Sequence, residues 1–125
     1  MDTPKDPEGS FEIALETSTR RASLAIGFGD SVALHHLSDG VAHASDLLPL
    51  LTAGLEKLGL ERERLARVHV GIGPGSFTGL RVGAAIALGL HGGLGVPLCA
   101  VPSVAATAWA HLEEGERGTV VIDAR

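Results

Sequence analysis

A single cysteine, Cys99, rules out an intrachain disulfide framework and any thiolate metal cage within one chain. Nor is there an apolar run that approaches the roughly 20 residues needed to cross a bilayer. The first ten residues hold Asp, Glu, Lys, two Pro and Gly without an apolar stretch, so positions 1–10 read as a flexible tail and not as a signal peptide. The expected setting is the reducing cytoplasm, with no membrane contact. Cationic clusters are missing too. The formal net charge is -5, and the local cluster Glu61-Arg62-Glu63-Arg64 alternates sign as a solvated surface does. Affinity for a polyanion comes largely from Lys and Arg neutralising phosphates, so contact with RNA is expected only indirectly.

What is present suits one compact domain. The chain has 125 residues, 45% apolar and 20% charged. Phe11 to Leu15, Ala22 to Phe28 and Val32 to Leu37 are short apolar-rich segments separated by turn residues, and they predict a three-strand antiparallel meander. Asp46 to Leu58 places leucines at helical spacing, with Ser45 as the expected N-cap, Gly59 as the stop, and Pro49 confined to the first turn. From Arg67 the pattern alternates: a strand at 67–72, a glycine-rich loop, a helix at 78–94, a strand at 98–101, a helix at 103–112 and a strand at 119–123. Alternation of this kind favours parallel strands joined by helical crossovers. A meander followed by two such units is the order of the ribonuclease-H-like fold, the building block of actin-like (ASKHA) proteins. The predicted class is therefore α/β, a mixed sheet flanked by helices. Positions 11–118 form the N-terminal actin-like domain, and 119–125 are expected to open a second, truncated one.

Few residues nominate chemistry. Gly73-Pro74-Gly75-Ser76-Phe77-Thr78-Gly79-Leu80-Arg81 lies between a strand and a helix, yet it lacks the lysine of a Walker loop, the third glycine of a dinucleotide fingerprint and the flanking glycines of a nucleophile elbow. What remains is a sharp turn feeding helix N-terminal amides, either a structural turn or a small-anion site. Glu16 and Asp123 end strands where an actin-like fold commonly holds magnesium-nucleotide. With Gly73, Gly75, Ser76 and Thr78, Glu16 makes up a weak cofactor-binding set; the competing reading is structural. His35, His36 and His43 include no i, i+4 pair, and His35 and His36 point to opposite faces of a strand, so no metal site is expected. No local Ser, His and acid grouping supports covalent catalysis.

The helix at 78–94 is apolar around its whole circumference. Leu80, Ala84, Ala87, Leu88, His91 and Leu94 are expected to face the core, and Val82, Ala85, Ile86, Gly89, Leu90 and Gly93 to face outward. Such a helix is normally buried on all sides, which one layer beside a sheet does not achieve. Four glycines at 83, 89, 92 and 93 each cost about 1 kcal/mol relative to alanine in a helix interior. Small residues at four-residue spacing allow another helix to approach closely. With Leu47, Leu50, Leu51 and Gly54 at one edge of the preceding helix, these positions predict a partner interface. The competing reading is burial within the chain's own fold.

Ala14-Leu15-Glu16-Thr17-Ser18-Thr19, His43-Ala44-Ser45-Asp46-Leu47-Leu48-Pro49, the Gly73 to Arg81 segment, Val101-Pro102-Ser103-Val104 and Ile122-Asp123-Ala124-Arg125 together resemble the TsaB (YeaZ) family, over most of the chain from Phe11 onward. The resemblance implies an actin-like fold and a non-catalytic role in forming threonylcarbamoyladenosine on transfer RNA. It implies pairing with a catalytic TsaD-like subunit through the two helices, an ATPase of the TsaE type in the same complex, and homodimers when isolated. No cofactor is expected to be held tightly, ATP and magnesium entering only within the partner complex. TsaD carries a His-x-x-x-His metal pair, and none occurs here. The match to the final Asp-Ala-Arg implies a chain ending just inside the family's second half. A kinase-like nucleotide-binding protein and a glycoprotease-like metallohydrolase are the alternatives.

Overall fold

The computed structural model describes residues 9–37 and 46–122. Ser23, Phe28, Ser31 and His36 bound the hairpin of the meander: β1 (Phe11–Glu16), β2 (Ser23–Phe28) and β3 (Ser31–His36) pair antiparallel in sequence order. After α1 (Leu47–Leu58) and a short 3-10 turn at Arg62–Arg64 come β4 (Leu65–Gly71), α2 (Phe77–Leu94), β5 (Leu98–Val101) and α3 (Ser103–His111). β4 joins β1 in parallel and β5 joins β4 in parallel, giving the order β3-β2-β1-β4-β5. This is the predicted mixed sheet.

Side-chain alternation sets which face is buried. Phe11, Ile13 and Leu15 of β1, Leu24 and Ile26 of β2, and Val68 and Val70 of β4 point to one side and are almost fully buried. There they meet Leu47, Leu51 and Leu55 of α1 and Ile86 and Ala87 of α2, and this layer is the core. The opposite face carries Glu12, Ala14, Ala25, Leu34 and His69 in cross-strand register, with Leu34 exposed. Ser10 is buried at the foot of β1; the expected tail before Gly9 lies outside the described residues.

Pro49 occupies the third position of α1, where its missing N–H would have had no intrahelical acceptor. The helix stops at Gly59, whose φ of 67° is left-handed. Asp46, not Ser45, precedes the helix, and its side chain makes no capping bond; Ser45 lies outside the described residues. One expected element is not formed. Thr119 to Ile122 adopt no strand and Val121 is 87% exposed, because β propensity yields a strand only where a neighbour completes the ladder.

The face of α2 also needs correction. Gly83, Ile86 and Ala87 are the buried positions, Val82, Leu90 and Leu94 pack partly against the core, and Leu88 is 57% exposed with His91 outside as well. The helix has turned by about one residue from the predicted stripe. Thr17 explains the choice: its hydroxyl abuts Gly83 so closely that a side chain there would clash, so the turn after β1 selects the glycine face. On α1, Leu47, Leu51 and Gly54 do not face outward as expected; they are buried, and a Cβ on Gly54 would lie 2.9 Å from Ile26 Cδ1. By length and composition α2 could cross a membrane, contrary to the reading of the sequence, since it has 18 residues and a mean hydropathy of 1.2. Its leucines, Val82, Ile86 and alanines raise that figure, while its Ile86 side packs on the sheet.

Candidate functional site

Three segments far apart in sequence converge at the carboxyl ends of β1, β4 and β5. The Ser18 N–H donates to Glu16 Oε1 at 2.8 Å, which folds the chain into a turn as it leaves β1. Ser103, at the start of α3, donates its hydroxyl to the same oxygen at 3.3 Å and accepts the Gly73 N–H at 3.0 Å. Its own N–H returns a bond to the Gly73 carbonyl at 3.0 Å. The Ser76 N–H donates to the Ser18 carbonyl at 2.7 Å, and the Ser76 hydroxyl caps α2 by accepting from Gly79 N–H at 3.2 Å. Gly73 has φ 86°, a left-handed conformation that L side chains rarely adopt, and the Gly73-Pro74 bond is cis.

The glycines in this region are there for space. A side chain on Gly71 would strike the Glu16 carboxylate, one on Gly75 the Ser18 carbonyl, and one on Gly79 the Thr17 carbonyl. Glu16 is thus held by Ser18 and Ser103 in space left free at Gly71, and the Gly73 to Arg81 segment is laced to the turn after β1. The weak cofactor-binding set of Glu16, Gly73, Gly75, Ser76 and Thr78 is therefore divided. The first four build the turn cluster, whereas Thr78 is exposed and lies beside α1. Thr17 is 1% exposed and its Oγ1 has no hydrogen-bond partner.

Next to the cluster is a cleft of about 690 Å³, with Ser18, Thr19, Arg20, Ser76 and Thr107 among its walls. Val120, Val121 and Ile122 complete it, so one cation and several hydroxyls face an apolar wall. Asp123, the second acid named from the sequence, lies outside the described residues, as does His43. His35 and His36 are on opposite faces of β3, and among the described residues no group of three potential ligands could hold a metal ion.

The second candidate surface is the outer side of α1 and α2. An open groove of about 500 Å³ runs between them, lined by Leu48, Thr78, Arg81, Val82, Ala85 and Ile86. Ala85, Gly89 and Gly93 are exposed as the sequence predicted, while Val82 and Leu90 are half-buried and Ile86 forms only the floor. Leu50 is half-buried against the core. Sequence reasoning missed the outward apolar groups, Leu48 at 45%, Phe77 at 72% and Leu88 at 57% exposure. It also missed Arg81, whose guanidinium lies 5.4 Å from the centre of the Phe77 ring. Ser103 was missed as a clamp because a serine opening a helix reads as a cap; only its 3% exposure reveals the other role.

Gly89, Gly92 and Gly93 differ from the glycines of the turn cluster. Nothing lies within 4 Å of where their side chains would begin. Nothing among the described residues gives a reason for them.

Comparison with known proteins places this architecture. The family model described as "TsaD: tRNA N6-adenosine threonylcarbamoyltransferase" matches residues 38–125. The chain is 36% identical to the tRNA threonylcarbamoyladenosine biosynthesis protein TsaB of Haemophilus influenzae over 116 residues, covering 90% of this chain and 49% of that protein. For TsaB of Escherichia coli the identity is 32%, with 90% and 50% covered. The solved structure of YeaZ from Pseudomonas aeruginosa superposes with a TM-score of 0.73 at 30% identity, over 82% of this chain and 49% of that one. The chain thus spans about half the length of the relatives it matches. The fold is the TsaD-like, actin-like one, and on sequence and structure alike the chain belongs to the TsaB/YeaZ family.

Proposed function

We propose that this chain is a non-catalytic docking partner of a TsaD-type threonylcarbamoyltransferase in the formation of threonylcarbamoyladenosine on transfer RNA. The outer side of α1 and α2 makes the contact. The observation that carries this reading is the set of three exposed glycines, Gly89, Gly92 and Gly93, with open space beyond each. Gly89, in the helix interior, costs about 1 kcal/mol of helix propensity and Gly92 and Gly93, in the last turn, add less, and nothing among the described residues compensates. Close approach of another protein's helix does. Leu48 in the groove and the exposed Phe77 and Leu88 of α2 supply the apolar area that docking would bury.

The family model carries the transferase's description, but two features favour the helper's role. The matched span contains His43, His69, His91 and His111, no two of them four residues apart. The Glu16 carboxylate is engaged by Ser18 and Ser103 within the turn cluster. A TsaE-type ATPase joins the same complex, transfer RNA is met through the partner, and the setting is cytoplasmic. In isolation the same face supports a homodimer.

Leu88→Glu tests the proposal in the full chain. Leu88 is exposed, so the fold should be kept and circular dichroism unchanged, while affinity for the TsaD-type subunit falls by a factor of about 30 or more, the effect of an interface hot spot. Undiminished pairing in both Leu88→Glu and Gly89→Leu would refute it. The cleft beside Ser18, Arg20 and Ser76 favours a second reading, a kinase-like nucleotide site. Calorimetry with Mg-ATP separates the two, since saturable binding by the chain alone would support the second.

A further inference from the structure

We infer that Arg81 makes the groove selective for a partner helix bearing a carboxylate, and so favours a different protein over a second copy of this chain. The inference rests on the docking role proposed above. Of the groove's lining residues, Leu48, Thr78, Val82, Ala85 and Ile86 are uncharged and Arg81 alone is ionic. Among the described residues it forms no ion pair; its guanidinium lies over the Phe77 ring, which orients the planar fork while leaving its N–H donors unmatched. A helix seated in the groove would strip water from that fork. An unmatched cation in a drying interface is costly, whereas a carboxylate matches the guanidinium through two parallel hydrogen bonds.

A second copy of the chain has little to offer. None of the 18 residues of α2 is acidic, and α1 has only Glu56, next to Lys57. Glu56 is eight residues from Leu48, about 12 Å along the helix, which puts it two turns beyond the groove. Asp46, just before α1, already has an interaction of its own. Docking of these helices on their own copies therefore brings cations to the interface and no acid at the groove. A partner helix with small or apolar residues to fill the channel and one Asp or Glu against Arg81 meets both requirements.

The test uses the full chain, its TsaD-type subunit, and Arg81→Gln, which keeps length and hydrogen bonding but removes charge. Affinity for the subunit and for self-association is measured by sedimentation at about 50 and about 300 mM salt, a range over which the attraction between the still-solvated charges of the free partners is strongly screened. Arg81→Gln should weaken binding to the subunit roughly tenfold or more, the loss of one charge-assisted hydrogen bond, and flatten its salt dependence. Self-association should hold steady or strengthen. Subunit affinity within about twofold of the parent, or self-association falling in parallel, would overturn the inference. Leu88→Glu distinguishes the failures: if it disrupts pairing and Arg81→Gln does not, charge selection is wrong and the docking face stands. If neither variant has any effect, the docking face falls and the inference with it.

Discussion

Two glycines six residues apart in one helix should respond to alanine with opposite signs. In a helix interior, alanine is favoured over glycine by about 1 kcal/mol. At Gly89 nothing lies within 4 Å of the new methyl, so that gain should appear undiminished. At Gly83 the methyl must enter the space of the Thr17 hydroxyl, whose residue is 1% exposed and fixed by the turn after β1. Overpacking of this type costs about 1–3 kcal/mol, leaving Gly83→Ala destabilised by roughly 1 kcal/mol after the propensity gain is subtracted. The two variants should thus differ by about 2 kcal/mol, or a melting difference on the order of 8 °C for a domain of this size. Urea titration of the full chain, with the slope checked for constancy, measures both. A destabilised Gly89→Ala would show that the outer face of α2 is covered within the chain, and a stabilised Gly83→Ala would show that Thr17 does not set the helix's rotation.

Ser103→Ala removes the acceptor of the buried Gly73 N–H and one donor to Glu16, so stability should fall by about 1–3 kcal/mol, read from the urea midpoint. A change below about 0.5 kcal/mol would mean that Ser103 does not clamp the cluster. Thr17→Val exchanges a buried hydroxyl without a partner for a methyl of similar size, and should leave stability unchanged or raise it by up to about 1 kcal/mol. A loss beyond that size would reveal a hydrogen bond to Thr17 in solution. Arg62→Ala removes a fully surface ion pair, 3.1 Å long between side chains 77% and 68% exposed, and the urea midpoint should not move.

Much of the sheet was legible because period-two alternation is unambiguous where one face is buried. Phe11, Ile13 and Leu15 against Glu12, Ala14 and Glu16 predict β1 and its orientation together. Turn chemistry placed the end of α1 at Gly59 for the same local reason. The rotation of α2 was not legible. With apolar groups all round, its periodicity does not favour one stripe, and the deciding contact is with Thr17, 66 positions before Gly83 in the chain. Ile86 was accordingly read as outward when it is core, and Leu88 as core when it is outward. On α1 the leucines do mark a buried stripe, but it is the chain's own core that receives them. The turn cluster was half legible: the glycine-rich loop announced itself, whereas its tie to Glu16 through Ser103 depends on a contact across 87 residues.

Hydroxyl-radical footprinting of the full chain, alone and with its TsaD-type subunit, tests the docking face most directly. Leu48 lines the groove, Phe77 and Leu88 are exposed on α2, and Trp109, 90% exposed on α3, serves as an internal reference. The account predicts strong protection of the first three on complex formation and little change at Trp109. Labelling of Leu48, Phe77 and Leu88 that persists in the complex, with protection concentrated elsewhere, would contradict it.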